Sequence, residues 1–412
     1  MPELDDYPND GLCGTAVSEK SLIDMLETAF EHQTNSKIQQ IEATQIGGGL
    51  GFMSDIFRAR LSWTPSDESV PQGVVVKVCT GANARKHMDA LRPLLDDASR
   101  AAAEQHDMMK FLEQQVITEA KALKRFEADT SHKLRVPRCY YHQTRTEQLP
   151  PIVIIEDFKQ SAMVNMADGM TLEQVHSAID QLAAVHAASF AWTDDWQRQF
   201  TPEQPDPNEL VAFVGEMKLM TTKIKEISPP LSELVDKLLP HFTIENFIRS
   251  MTSHMTLGLP PVLVHGDLWI ANTLWHPLDS EHPSTASNEL LAILDWATAR
   301  PGNAAEDIAR LLYSSVAGEL RRASKDAILR RYLDKFAELT PDKRAPFSFE
   351  QLSRAYDACL PFVMMFTVFG VPMWMQIPEI THSDDPHVAQ QRRAAMIERA
   401  SMMMHDYLLV HA

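Results

Sequence analysis

The feature that most restricts this chain is a short apolar run that breaks off into a polar cluster. Val262-Leu263-Val264 is followed at once by His265-Gly266-Asp267-Leu268-Trp269-Ile270-Ala271-Asn272. Introduced by Pro260-Pro261, Val262 to Val264 predicts a short buried strand. Such a strand delivers His265, Asp267 and Asn272 onto the loop beyond it, where a rigid scaffold tends to hold catalytic side chains. Downstream, Leu290-Leu291-Ala292-Ile293-Leu294 predicts a second buried strand, and it stops at Asp295-Trp296. Two apolar strands that each end in an Asp, with an Asn after the first, suit phosphoryl transfer. One Asp faces the acceptor hydroxyl, while the Asn and the other Asp hold magnesium.

Phosphate contacts have to come from elsewhere. Ile38–Ile46 and Asp55–Trp63 predict strands on either side of Gly47-Gly48-Gly49-Leu50-Gly51-Phe52-Met53-Ser54. Gly47, Gly48, Gly49 and Gly51 let main-chain amides approach phosphate oxygens closely, and Ser54 closes the turn. No helix opens after the turn and no Gly-Lys-Ser/Thr follows, so it is neither a dinucleotide fingerprint nor a Walker A loop. Alone, the cluster also describes a flexible hairpin turn. A third strand, Gly73-Val74-Val75-Val76-Lys77-Val78, carries a Lys inside a run of valines. A charge there is costly unless it snorkels to water or finds a partner. In a phosphotransferase such a Lys contacts the α- and β-phosphates and pairs with a helical Glu. Residues 83–128 predict helix; Glu119 is the first candidate for that partner and Glu113 its competitor. A solvated helix face is the plain alternative for either.

The remaining segments organise around these points. Residues 1–17 are expected to be a loose arm, and Ser18–Phe30 predicts a capped helix. Arg135–His142 and Ile152–Ile155 predict two more strands of an antiparallel meander. The second exits into Glu156-Asp157-Phe158, a hinge between lobes at which main-chain groups would read adenine. The chain then turns helical. Thr171-Leu172-Glu173-Gln174 is a capping box, and Val175, Ile179, Leu182, His186 and Phe190 recur at helical spacing. Arg300-Pro301-Gly302-Asn303 reads as a turn, and Asp307 at the next helix start either braces the catalytic loop or, the favoured reading, is structural. Cys359–Met375 is apolar over nearly a membrane thickness, but Pro361, Gly370 and Pro372 interrupt it, so a buried helix pair is expected and no membrane span. The lobes are residues 1–157, binding nucleotide, and 158–412, carrying the catalytic loop and acceptor pocket.

A length of 412 residues suits two such lobes. The net charge of -18 argues against nucleic acid and anionic membranes as partners, while a nucleotide stays possible because magnesium and local amides offset its charge. Cys13, Cys79, Cys139 and Cys359 are isolated, which fits free thiols in a reducing compartment. The acidic N-terminus has no apolar stretch of the signal-peptide kind, and a cytoplasmic location is expected. Oligomeric state is not readable from these features.

Magnesium takes hard oxygen ligands, here the Asn272 carbonyl and the Asp295 carboxylate. A substrate alcohol is too weak an acid to ionise first, so Asp267 would orient the hydroxyl and take its proton late. His265 is expected to brace the loop rather than act as a base. His-Gly-Asp alone is a common turn; its weight comes from the order glycine loop, strand Lys, His-x-Asp-x4-Asn, strand, Asp.

The segments Val262–Trp275 and Leu291–Leu312, with Trp269 after His-Gly-Asp-Leu, Gly51-Phe52-Met53-Ser54 and the Arg321-Arg322 pair, resemble the aminoglycoside-phosphotransferase and choline-kinase superfamily. Within it they are most similar to the ecdysteroid-kinase-like (CHK-kinase-like) branch, nematode type, over roughly residues 40–375. The resemblance implies a protein-kinase-like two-lobe α+β fold, a small antiparallel-sheet lobe and a larger helical one. It also implies ATP and magnesium (Mg2+), and phosphorylation of a small-molecule alcohol. It places Lys77 on phosphate, Glu119 as its partner, Asp267 as catalytic base, and Asn272 and Asp295 on metal. Ala297 stands where the family often carries Gln.

The acceptor pocket is expected near Trp269, Trp296 and the Met/Phe-rich 362–375 stretch. Met364, Met365, Phe366, Phe369, Met373 and Trp374 either line it for a bulky apolar alcohol, such as a steroid, or are plain core. Choline-like and aminoglycoside acceptors remain open. So do two other readings, a non-catalytic binding protein on the same fold and a metal-dependent hydrolase.

Overall fold

A computed structural model of the chain describes residues 7–47, 53–105, 107–201 and 207–411. Gly48, Gly49 and Gly51 lie outside the described residues. The meander forms one five-stranded sheet: β1 (Lys37–Gln45), β2 (Asp55–Thr64), β3 (Gly73–Val78), β4 (Cys139–Gln143) and β5 (Ile152–Glu156). Their order is β1-β2-β3-β5-β4, antiparallel at every pairing. The central strands β3 and β5 are the valine- and isoleucine-rich ones, because a strand covered on both faces has no polar side. Helix α1 (Glu19–Phe30) covers one face with Leu22, Leu26 and Phe30, and the Ser18 hydroxyl accepts the Ser21 amide at its start.

β4 begins at Cys139, four residues later than the expected Arg135. Pro137 has no amide to give a ladder, and the carbonyls of Arg135 and Arg138 are taken by the amides of Ile293 and Glu156. Two helices follow β3 that matter below, α2 (Asp97–Gln105) and α3 (Met108–Ala128).

The larger part is helical. Its principal helices are α4 (Leu172–Phe190), α5 (Pro207–Thr222), α6 (Ala304–Ser315), α7 (Gly318–Leu339), α8 (Phe349–Val368) and α9 (Pro386–His411). The capping box closes both ways at Thr171 and Gln174. Phe190 departs from the expected stripe: at the end of α4 it is 41% exposed. Two short antiparallel pairs sit between the helices. β6 (Val262–Val264) pairs with β9 (Arg300–Gly302), and β7 (Thr273–Pro277) with β8 (Ala286–Ile293). The expected turn at Arg300 is therefore partly strand, held by the wholly buried edge of β6.

The apolar 359–375 stretch is core. Phe349–Trp374 is long and apolar enough to cross a membrane, yet 72% of its most apolar window is buried inside the protein. Pro361 does not interrupt α8 as expected. The Asp357 carbonyl, which Pro361 cannot bond, accepts from His411 Nε2 at 3.1 Å, and the Phe362 amide donates to Ser250 Oγ at 3.1 Å. The helix instead breaks at Phe369-Gly370, where a short helix Val371–Trp374 begins.

One part of the sheet lobe reaches across to the helical lobe. α2 packs on α5 through Ala102, Ala103 and Ala212. Ser99 Oγ fills the space where a Cβ on Gly215 would sit, 2.1 Å from that position, so only glycine permits this contact.

Candidate active site

Lys77 lies on central β3 and is 8% exposed. Its Nζ meets Glu119 Oε2 at 2.7 Å and Asp295 Oδ1 at 2.8 Å. Glu119 comes from the buried face of α3, and Asp295 follows β8. Burial would push the Lys77 ammonium down, but the carboxylates of Asp295 and Glu119 hold it well above its ordinary value. Burial would likewise push Asp295 up; Lys77 overrides it and holds the carboxyl below its ordinary range. Removing one member of such a buried set costs about 3–5 kcal/mol, since the other charge is stranded. Glu113, the competing candidate, is used elsewhere: its Oε1 accepts the Arg145 amide at 3.2 Å.

The loop after β6 is built on Asp307, the fourth residue of α6, which is fully buried. Its carboxylate accepts the amides of His265 at 2.7 Å and Gly266 at 3.0 Å. Behind it, His186 Nε2 stands at 3.3 Å, and Tyr332 Oη bonds the other ring nitrogen of His186 at 2.8 Å. Gly266 has φ 82°, and a Cβ there would stand 2.7 Å from the Thr298 carbonyl, so both the turn and the packing call for glycine. His265 has both ring nitrogens engaged. Nε2 donates to the Leu294 carbonyl at 2.7 Å, and Nδ1 accepts the Asp267 amide at 3.2 Å. It is a brace, tying the Asp267 loop to the strand that ends at Asp295.

Asn272 and Asp295 meet because β7 and β8 pair: the Leu294 amide donates to the Asn272 carbonyl at 2.9 Å. Asn272 Nδ2 donates to the Asp267 carbonyl at 2.9 Å, so the amide's nitrogen end straps the loop. Its Oδ1 accepts no hydrogen bond among the described residues. Asp295 has φ 64°, a left-handed conformation costing a non-glycine residue about 1–2 kcal/mol and tolerated best by Asp and Asn. That backbone turns its carboxylate back toward Lys77. Among the described residues no three His, Cys, Asp or Glu side chains gather to hold a metal ion. An Asn oxygen and one carboxylate suffice for magnesium bound chiefly through phosphates and waters, and the donor set fits.

Sequence reading missed the partner of Asp267. Arg310, on the buried helix α6, donates to Asp267 Oδ1 from Nη2 at 2.9 Å and from Nε at 3.2 Å. Its Nη1 reaches Thr367 Oγ1 on α8 at 3.1 Å. The signal was available: one Arg among Ile308, Ala309, Leu311 and Leu312, a helix with no exposed residue. Burial raises the Asp267 carboxyl above its ordinary value against the pull of Arg310 and His265. Asp267 Oδ2 accepts no hydrogen bond among the described residues.

Beside Arg310 lies an aromatic wall. Its guanidinium stands 6.0 Å from the Trp269 ring centre and 5.9 Å from that of Phe366. Trp269 stacks on Trp374 at 5.1 Å, and Phe366 packs against Phe369 and Phe213. Trp269, Phe366, Phe369 and Met373 are half-buried, whereas Met364 and Met365 are fully buried core. Trp296 does not belong to this wall, against expectation. It is fully buried behind the loop, 4.7 Å from Phe126 and 4.6 Å from His265 between ring centres.

The remaining expected residues lie around the sheet. Gly47 has φ 85°, as a tight turn requires. Ser54 Oγ donates to Cys79 Sγ at 3.3 Å. At the hinge the acidic side chains brace the sheet. Asp157 Oδ1 accepts Arg58 Nε at 2.9 Å, and Glu156 Oε2 accepts the Arg138 amide at 3.2 Å. Phe158 is half-buried.

A family model described as "DUF1679: Uncharacterized oxidoreductase dhs-27" matches residues 7–412, and the chain belongs to that family. It is similar to "Uncharacterized oxidoreductase dhs-27" of Caenorhabditis elegans, 25% identical over 337 residues, covering 81% of this chain and 39% of that protein. It is also similar to "Uncharacterized kinase-like protein D1044.1" of the same organism, 24% identical over 246 residues, covering 59% of this chain and 61% of that one. The chain thus spans less than two thirds of either relative. Among solved structures, choline kinase from Cryptosporidium parvum Iowa II aligns over 95% of both chains at 13% identity with a TM-score of 0.50. The GDP complex of wild-type aminoglycoside 2'-phosphotransferase-IIIa aligns over 93% of this chain and 99% of its own at 14% identity, TM-score 0.40. The fold is the kinase-like two-lobe α+β fold.

Proposed function

We propose that this chain is an ATP- and magnesium-dependent kinase that transfers the γ-phosphate to a hydroxyl of a small molecule. One observation carries the reading: Lys77 held between Glu119 and Asp295, with Asn272 strapped to the Asp267 loop one strand pair away. In this reading Lys77 contacts the α- and β-phosphates and Glu119 keeps it aimed. The amides of Gly47, Gly48, Gly49 and Gly51, with Ser54, cover the phosphates, and the main chain of Glu156, Asp157 and Phe158 reads the base. Asn272 and Asp295 would hold magnesium, which would supply neutralisation of the phosphate charge. Asp267 Oδ2 accepts a hydrogen bond from the acceptor hydroxyl. As the acceptor oxygen bonds the γ-phosphorus and the bond to ADP breaks, the hydroxyl proton passes to Asp267. The products are a phosphate ester and ADP. Arg310 and His265 fix the base and leave the transferred group alone.

The half-buried wall of Trp269, Phe366, Phe369 and Met373 suits a bulky apolar alcohol, and the sequence resemblance to the ecdysteroid-kinase-like branch favours a steroid-like acceptor. Choline-like and xenobiotic alcohols are the other candidates. The oxidoreductase wording of one relative fits this chain poorly. Among the described residues every strand pairing is antiparallel, and the dinucleotide βαβ unit needs parallel strands.

A non-catalytic binding protein on the same fold is the second reading, favoured by one observation: Arg310 already occupies one oxygen of the base. An ATP-consumption screen over steroids, cholines, aminoglycosides and glucosides decides, with the Asp267→Asn protein as blank. Acceptor-dependent ADP release by wild type alone supports the kinase. ADP release equal in both proteins for every alcohol supports the second reading.

A further inference from the structure

A cavity of about 610 Å³ opens behind α3, lined by Lys121, Lys124, Arg125, Asp129, Trp192 and Gln199 among others. At 100° per residue, Lys121, Lys124 and Arg125 fall on the helix face opposite Glu119. Three cations gathered on one short stretch stand out in a chain of net charge -18. Arg125 and Lys121 are fixed rather than waving in solvent. Arg125 forks onto Asp194 at 2.6 and 2.9 Å and lies 4.3 Å from the Trp192 ring centre. Lys121 Nζ donates to the Gln199 carbonyl at 2.7 Å and stands 5.4 Å from the Phe200 ring centre. Lys124 reaches His142 Nδ1 at 3.4 Å and has no carboxylate partner among the described residues. The one acid in the lining, Asp129, is spent locally on the amides of Ser131 and His132 and on the His132 ring.

We infer that this cavity is a second binding site, for a phosphate monoester carried on a flat ring. Lys121 and Lys124 supply unneutralised positive charge for the phosphate, and the Arg125 guanidinium, which lines the cavity and lies over the Trp192 face, offers its own plane to the ring. The site is wired to the cleft by contact. Trp192 packs on Phe126 of α3 at 6.3 Å, Phe126 on Trp296 at 4.7 Å, and Trp296 on His265 at 4.6 Å. The same helix carries Glu119. A ligand seated on the Arg125–Trp192 pair therefore acts on both the Lys77 partner and the brace of the catalytic loop. Binding stands without the kinase reading; its effect on the cleft rests on that reading.

The test titrates phenyl phosphate into the full chain by calorimetry, with and without saturating ADP. Wild type binds it whether or not ADP is present. Lys124→Glu, at an exposed position, weakens it at least about tenfold, as does Lys121→Glu, while the melting temperature stays unchanged. Inorganic phosphate, lacking the ring, binds more weakly. Absence of binding, wild-type affinity retained in either variant, or complete displacement by ADP overturns the site. Coupling is read as a change of about fivefold or more in ADP affinity when phenyl phosphate is present; an unchanged ADP affinity overturns the coupling and leaves the site. A chain that binds phenyl phosphate but no ADP refutes the kinase reading alone.

Discussion

On the phosphate side of the cleft Lys77 is closed in by two carboxylates contributed by α3 and the end of β8. On the acceptor side Asp267 has one oxygen on Arg310, the other open, and half-buried aromatic rings beside it. The first side is compact, charge-matched and already in its working geometry. The second is a single poised group facing a surface whose shape, not charge, sets what it receives. The difference teaches that the two halves answer to different demands. Under the proposed kinase reading the nucleotide is constant and its contacts can be rigid, while the acceptor would be chosen by the rings, with the loop orienting its hydroxyl.

The comparison is broken most directly at Asp267. Asp267→Asn keeps size and shape, and acceptor-dependent turnover is expected to fall by about 10²–10⁴. Retained turnover would mean that the open oxygen has no part in the reaction. Next in size is Lys77→Met, which strands Glu119 in the core. Unfolding by denaturant at pH 7 is expected to show a loss of about 3 kcal/mol or more. Burial pushes the Glu119 carboxyl up, so it takes a proton readily once Lys77 is gone. The gap between variant and wild type therefore narrows as pH falls; a gap that widens instead would contradict a stranded carboxylate.

A smaller effect is expected at Arg310, whose removal tests whether the acceptor side depends on a fixed base. Arg310 pulls the Asp267 carboxyl down, so Arg310→Ala lets it rise further. The base must be unprotonated to act, and the acidic limb of the kcat/KM profile moves to higher pH. Arg310→Lys restores part of the shift, and KM for ATP stays put. A pH profile identical to wild type would assign Arg310 to packing alone. The smallest effect is at the wall. Phe366→Ala raises acceptor KM by about tenfold, the worth of one lost ring contact, and leaves KM for ATP unchanged. Parallel changes in both constants would erase the division between the two sides.

Legibility from sequence follows the same division. Lys77 in its valine run and Asp295 after its apolar strand carry short-range signals, since a charge at the end of a buried strand is conspicuous wherever the fold takes it. The antiparallel meander was readable for the same reason, as β-branched runs punctuated by turns. Arg310 was not read, although it stands in a buried helix, because its partner lies 43 residues away and no period links them. Trp296 was placed in the acceptor pocket because it follows Asp295 in sequence. Its ring points the other way, into α3, since Asp295 takes a left-handed turn. The β4 boundary moved for a local reason, Pro137, and α8 ran through Pro361 for a distant one: the C-terminal helix returns to satisfy the carbonyl that the proline leaves open.

The contact between α2 and α5 has a consequence for motion. The sheet lobe is joined to the helical lobe by the chain after Phe158 and again by α2, whose Ser99 seats in the notch at Gly215. Other contacts hold the lobes between those points: the Phe126 ring on Trp296, Arg125 on Asp194, and the Arg135 carbonyl on the Ile293 amide. Movement of one lobe against the other therefore has to part several separated contacts together rather than swing on a single hinge. A bulkier residue at position 215 would unseat one of them.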